Sequence, residues 1–159
     1  MKKMIICVLC VMMLIVWALP AAAAHPATIA SGTTSTASNL ITVKKPDTAS
    51  TATMKTTYSI TGVGQEGVSV CFYMYDGEHY TALRNSDLTI SSLKIGASGV
   101  FYRQVALKDG INRICVRAEA DDGSYQVEYF SINVIKNDVL SGVGSFSLNM
   151  QSRYNGWLN

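Results

Sequence analysis

Histidine is almost missing from this chain of 159 residues, which has two. His25 opens a Thr/Ser/Ala-rich stretch, and His79 falls in an expected loop. There is no Gly-x-Ser-x-Gly element and no suggested Cys-His pair, so nucleophilic hydrolysis has no constellation to rest on. The chain is therefore read as no enzyme. Metal ligation is equally thin. Asp121 and Asp122 precede Gly123 at an expected hairpin tip, where turn chemistry accounts for them, and no Asp-x-Asp-x-Asp-Gly loop is present. No metal and no cofactor is expected. Gly62-Val63-Gly64-Gln65-Glu66-Gly67 matches the dinucleotide pattern in spelling. That pattern works only when a helix N-terminus follows to hold the pyrophosphate, and here a strand-like run follows, so a turn between strands is expected.

Net charge is also scarce. Lys and Arg number 13 against 11 Asp and Glu, and two of the cations, Lys2 and Lys3, stand at the very start. An unbroken apolar run from Met4 to Leu19 follows them, then Pro20 and Ala21–Ala24. A basic start, a short apolar core and small residues in that order read as a signal peptide over 1–24, cleaved near Ala24. The run is short for a bilayer span and no stop-transfer cluster follows it, so no stable membrane span is expected after cleavage. The remaining 11 cations equal the acids, which leaves no electrostatic footprint for nucleic acid. Secretion, to the exterior or the cell envelope, is the expected localisation. No LPxTG-type signal ends the chain.

Helix-period patterning is absent after the apolar run. Residues 25–39, HPATIASGTTSTASN, lack apolar periodicity and are expected to be a flexible linker. Strand signals then alternate with turn signals across 40–136. They are LITVK at 40–44, YSIT at 58–61, VSVCFYMY at 68–75, HYTAL at 79–83, LTISSLKI at 88–95, VFYRQVAL at 100–107, NRICVRAEA at 112–120 and YQVEYFSINVI at 125–135. Asp76-Gly77 and Asp109-Gly110 mark tight turns. About seven short strands in some hundred residues predict an all-β, two-sheet sandwich. Residues 137–159 form a Gly/Ser/Asn-rich tail that also carries Phe146, Leu148, Met150, Tyr154, Trp157 and Leu158.

Period-2 alternation assigns faces. Val70, Phe72, Ile114, Val116, Phe130 and Ile132 are expected in the core. Cys71, Tyr73, Tyr75, Arg113, Cys115, Arg117, Tyr125, Val127 and Tyr129 fall on the opposite, outward set. Arg103 is in phase with Phe101, Val105 and Leu107, which predicts a bulge or an edge strand there.

The run from about Leu40 to Ile135 resembles the immunoglobulin-like (Ig-like) domains of bacterial cell-surface and secreted proteins. ITVKKP, YSITG, VSVCFYMY, GASGVF and VALKDGINRICVRAEADDG carry the resemblance. It implies an Ig-like sandwich with VSVCFYMY, NRICVRAEA and the last strand side by side in one sheet. It implies no catalytic residues, and a role as spacer, stalk or adhesive module. With those strands as neighbours, Cys71 and Cys115 would face each other closely enough for a disulfide. Two free thiols, or pairing between molecules, are the alternatives. Tyr73, Tyr75, Tyr125 and Tyr129, with Arg113 and Arg117 between them, would then form a candidate binding face for a protein or glycan. Ordinary cross-strand pairing on an exposed sheet accounts for the same residues. The expected function is a non-catalytic secreted binding module, with a purely structural spacer of an envelope assembly as the alternative.

Overall fold

The computed structural model describes residues 25–136, and everything in it is strand, turn or loop. The expected signal peptide (1–24) and C-terminal tail (137–159) lie outside the described residues. Ten strands form two sheets, giving the β-sandwich that the alternation predicts. The smaller sheet has the order β2-β4-β8, from β2 (Ile41–Lys45), β4 (Thr57–Gly64) and β8 (Val100–Ala106). The larger runs β1-β6-β5-β9-β10-β3. It is built from β1 (Thr28–Ala30), β6 (His79–Ala82), β5 (Ser69–Tyr75), β9 (Gly110–Glu119), β10 (Tyr125–Val134) and β3 (Ser50–Thr53). β7 (Ser92–Lys94) also pairs with β5.

The inward residues of both sheets make one core, in which all six expected residues are buried: Val70, Phe72, Ile114, Val116, Phe130 and Ile132. Ile60, Phe101 and Val105 face them from the smaller sheet, and the Phe72 and Phe101 ring centroids lie 6.3 Å apart. Among the described residues β8 is an edge strand, as the phase of Arg103 predicts, and Arg103 is partly buried between the fully buried Phe101 and Val105. After β2 the chain crosses between sheets, and β3 runs parallel to β10, with Ser131 opposite Ser50.

The glycine-rich stretch Gly62–Gly67 is the end of β4 and the turn into β5, with no helix after it. Gly67 takes a positive φ of 86°. Gly62 serves close packing instead, because a Cβ there would run into the Phe101 ring and the Thr42 carbonyl. Gly62→Ala is expected to destabilise the fold by about 1–3 kcal/mol, the usual cost of overpacking a core. Urea unfolding would show this as a lower midpoint at unchanged slope.

Two buried amides join segments that periodicity alone does not connect. The Gln126 side chain accepts from the Leu40 and Ile41 amides at 2.8 and 3.1 Å and donates to the Ile41 carbonyl, tying β10 to β2. Asn112 closes the Asp109-Gly110 turn, accepting from the Lys108 amide at 2.8 Å and donating to the Lys108 and Gly110 carbonyls.

Residues 25–37 differ from the expected linker: they form a strap over the outer face of the larger sheet. β1 pairs antiparallel with β6, Ile29 opposite Tyr80. The strap then crosses to β10. There the Thr36 and Ala37 amides donate to the Tyr125 carbonyl, and the Val127 amide donates to Ser35 Oγ. A polar, aperiodic composition does not reveal this, because Ile29 is the one fully buried apolar side chain of the strap, with Ala37 partly buried against the main core, and hydrogen bonds hold much of the rest. Those bonds satisfy groups that the sheet would leave open.

Candidate functional site

The face expected to be outward is, for much of its area, a second core. Cys71, Tyr73, Tyr80, Ala82, Cys115 and Val127 are buried with Ile29 of the strap, and Tyr75, Tyr125 and Tyr129 pack half-buried against them. Parity placed these side chains on the correct face, but it could not show that thirteen residues of the same chain would lie over them. Tyr73 is fully covered, and its hydroxyl donates to the Pro26 carbonyl at 3.1 Å. The Tyr129 hydroxyl donates to the Thr33 carbonyl at 2.9 Å. Burial first, then the neighbouring thiol of Cys115, raises the Tyr129 hydroxyl pKa to about 12.

The expected disulfide is not formed; both thiols are free and buried. The register gives the reason. Tyr73 stands opposite Cys115, and Arg117 stands opposite Cys71, so the cysteines are diagonal neighbours. Diagonal positions on antiparallel strands lie about 7–8 Å apart, beyond ordinary disulfide reach. Desolvation by burial is the main cause that raises both thiols, Cys115 to about 12.

At one end of this face a polar group is buried that sequence reasoning missed. His25 Nε2 lies 2.8 Å from Ser69 Oγ, and His25 Nδ1 lies 3.7 Å from Glu119 Oε2. The same Glu119 oxygen accepts from Arg117 Nη2 at 2.8 Å, and the Arg117 guanidinium stacks over Tyr125 at 4.2 Å from its centroid. Burial is the main cause that lowers the His25 pKa, outweighing the attraction of Glu119. A serine, an imidazole and a carboxylate in sequence suggest nucleophilic catalysis, but the geometry does not support it. The 3.7 Å gap is too long for the hydrogen bond that orients a catalytic imidazole, and Arg117 holds the carboxylate oxygen. The group acts as a latch for the strap. The position of His25 ahead of a Ser/Thr-rich stretch carries no signal for it, and Glu119 shares the strand parity of Arg113 and Arg117, which reads as an outward polar set.

The other end of the face is more open. The Tyr75, Tyr80 and Tyr129 rings form a ladder with centroids 5.2 and 5.3 Å apart, and exposed Arg113 lies over Tyr75 at 5.4 Å. Beside it is the β5–β6 hairpin, whose Asp76 carboxylate accepts from the Glu78 and His79 amides and the Thr81 hydroxyl. Those bonds, the His79 amide first, hold the Asp76 carboxyl down to about 2. Of the six residues expected on the binding face, Tyr75, Arg113 and Tyr129 therefore meet at one end. Arg117 and Tyr125 pair at the other, and Tyr73 is buried between them.

No family model matches the chain, and no curated protein matches it.

His79, the other histidine, is exposed and stands 3.6 Å from Glu78 on the hairpin surface. Asp122 accepts from the Ser124 amide at 2.9 Å, the turn role expected of it, while Asp121 forms an exposed ion pair with Lys94 at 3.6 Å. Among the described residues no three His, Cys, Asp or Glu side chains converge as metal ligands.

Proposed function

We propose that this chain is an exported Ig-like module that binds a protein or glycan through the Tyr75–Tyr80–Tyr129 ladder and Arg113, without catalysis. The observation that carries the reading is the ladder itself. Two half-buried tyrosine rings, Tyr75 and Tyr129, tilted against the buried Tyr80 ring, with the exposed Arg113 guanidinium over Tyr75, combine aromatic surface with directional donors, the chemistry favoured at recognition surfaces. The order of β5, β9 and β10 in one sheet fits the Ig-like resemblance, and the basic start and short apolar run support export. The second reading, a structural spacer, is favoured by a specific feature. The Tyr73, Tyr75 and Tyr129 hydroxyls all donate to carbonyls of this same chain.

A double variant, Tyr75→Ala with Arg113→Ala, separates them. Both residues lie outside the main core. A binding module is expected to lose at least about tenfold of its retention on the host's envelope fraction, with an unchanged circular dichroism spectrum. Unchanged retention would favour the spacer.

A further inference from the structure

β2 pairs with β4 on one edge, and its other edge faces a cleft of about 370 Å³ bounded by β10 and by the crossover residues 46–49. Gln126 bridges the two walls. Its carboxamide accepts from the Ile41 amide and donates to the Ile41 carbonyl, the two bonds that a neighbouring strand would make. Backbone groups alternate in direction along a strand, and the Leu40 carbonyl turns to the β4 side, where it accepts from the Gln65 amide. The next residue directed toward the cleft, as Ile41 is, is Val43, and no group among the described residues bonds to it there. The β10 wall repeats the arrangement. The Val127 amide donates to Ser35 Oγ, and the Ser131 amide donates to the Ala49 carbonyl. Tyr129 lies between them in the same phase, and among the described residues its backbone has no partner on that side. Open peptide groups on both walls are matched by the backbone of another extended segment.

The cleft also carries charge of one sign. Gln126, Glu128, Phe130 and Ile132 share the inner phase of β10, and all but Glu128 are buried. Glu128 is partly buried and lines the cleft. Its carboxylate accepts one hydrogen bond, from Gln126 Nε2 at 2.7 Å, and makes no ion pair among the described residues. Asp47 lines the cleft as well, and no Lys, Arg or His does. A carboxylate drawn partly out of water is stabilised by a cation. An arginine suits it best, because the guanidinium is a planar fork, always charged and weakly hydrated. The volume stands at the small end of ligand sites, enough for a short segment and too little for a folded domain.

We propose that this cleft is a second recognition site, which takes an extended, arginine-bearing segment of a partner protein. The segment's backbone supplies the partners missing at Val43 and Tyr129, and its guanidinium meets the Glu128 carboxylate. Backbone bonds give affinity in this mode, and the buried charge pair selects the side chain. The site does not use Tyr75, Tyr80 or Arg113, so it stands apart from the ladder and does not rest on the reading given to it.

Amide chemical shifts of the processed full-length chain test this, with the blocked peptide acetyl-Thr-Val-Arg-Val-Thr-amide as the probe. Saturable shifts are expected at Val43, Glu128 and Tyr129. The same peptide with citrulline, which keeps the shape of arginine without its charge, is expected to bind at least about tenfold more weakly. Glu128→Gln keeps an acceptor for the Gln126 amide and so leaves the bridge to β2 in place. It is expected to weaken the arginine peptide at least about tenfold and to bind the citrulline peptide as the wild type does. Tyr75→Ala with Arg113→Ala is expected to leave the titration unchanged. No saturable shift at millimolar peptide would overturn the proposal, and so would equal affinity for the two peptides. Shifts confined to the Tyr75 and Arg113 end would overturn it too, since the peptide would then be a ligand of the ladder.

Discussion

Cys71 and Cys115 are expected to count as two thiols in the denatured, unreduced monomer and to resist labelling in the native protein. Both are buried beneath the strap, and burial raises Cys115 to about 12 from an ordinary value near 9. The thiolate is the reactive form, so a rise of that size alone slows reaction about a thousandfold at neutral pH. Reaction must then wait for the strap to open, a local unfolding that leaves the main core intact. Ile29 is the apolar anchor of the strap, opposite Tyr80 and buried with Cys71 and Cys115. Ile29→Ala removes buried methyl and methylene groups at a cost of at least about 2 kcal/mol, which raises the open fraction about thirtyfold. Native labelling by a thiol reagent such as dithionitrobenzoate is expected to speed up by that order. The variant should remain folded by near-ultraviolet dichroism. Rapid labelling of the wild-type protein would mean that the strap does not cover the thiols.

The second expected result is acid sensitivity located at His25. The folded-state pKa of His25 is lowered, chiefly by burial, with Glu119 pulling the other way and Arg117 adding to the decrease. Below the unfolded value near 6.5, the unfolded chain binds a proton that the folded chain binds less readily. Stability is therefore full above about pH 6.5 and falls as pH drops toward the folded value, by at most about 1.4 kcal/mol per pH unit. Urea midpoints are expected to fall between pH 7 and pH 5.5 in the wild type. His25→Gln retains a donor and an acceptor for Ser69 but cannot titrate, so its midpoint should stay nearly flat over the same window. Asp76, whose carboxyl is held down to about 2, stays ionised throughout this window and contributes little to the change. Parallel slopes in the two proteins would assign the acid sensitivity elsewhere.

The two results share one cause, the strap, and the strap marks the boundary of what periodicity reveals. Strand positions and core phase were legible because Val70, Phe72, Ile114, Val116, Phe130 and Ile132 alternate cleanly between turn signals. The alternation also separated Cys71, Tyr73 and Cys115 from that core. A strand has two faces, and parity says which residues share a face but not what covers it. Cysteine pairing depended on register, and a displacement of two residues between β5 and β9 turns facing thiols into diagonal ones. The eight strand-like runs, read as about seven strands, became ten strands because β1 and β3 are too short and too polar to show a period.

By itself the sequence determined the all-β class, the turn positions and the inner faces of both sheets, because local φ preferences and period-2 burial are written residue by residue. Tertiary structure alone decided that the N-terminal segment would fold back as a strap, and that His25, Ser69, Glu119 and Arg117 would meet beneath it. It also decided that the candidate recognition surface would shrink to the end bearing Tyr75, Tyr129 and Arg113. Those outcomes rest on contacts between distant residues, 44 positions apart for His25 and Ser69 and 96 for Thr33 and Tyr129, which are set by the packing of whole elements and leave no local pattern in the chain.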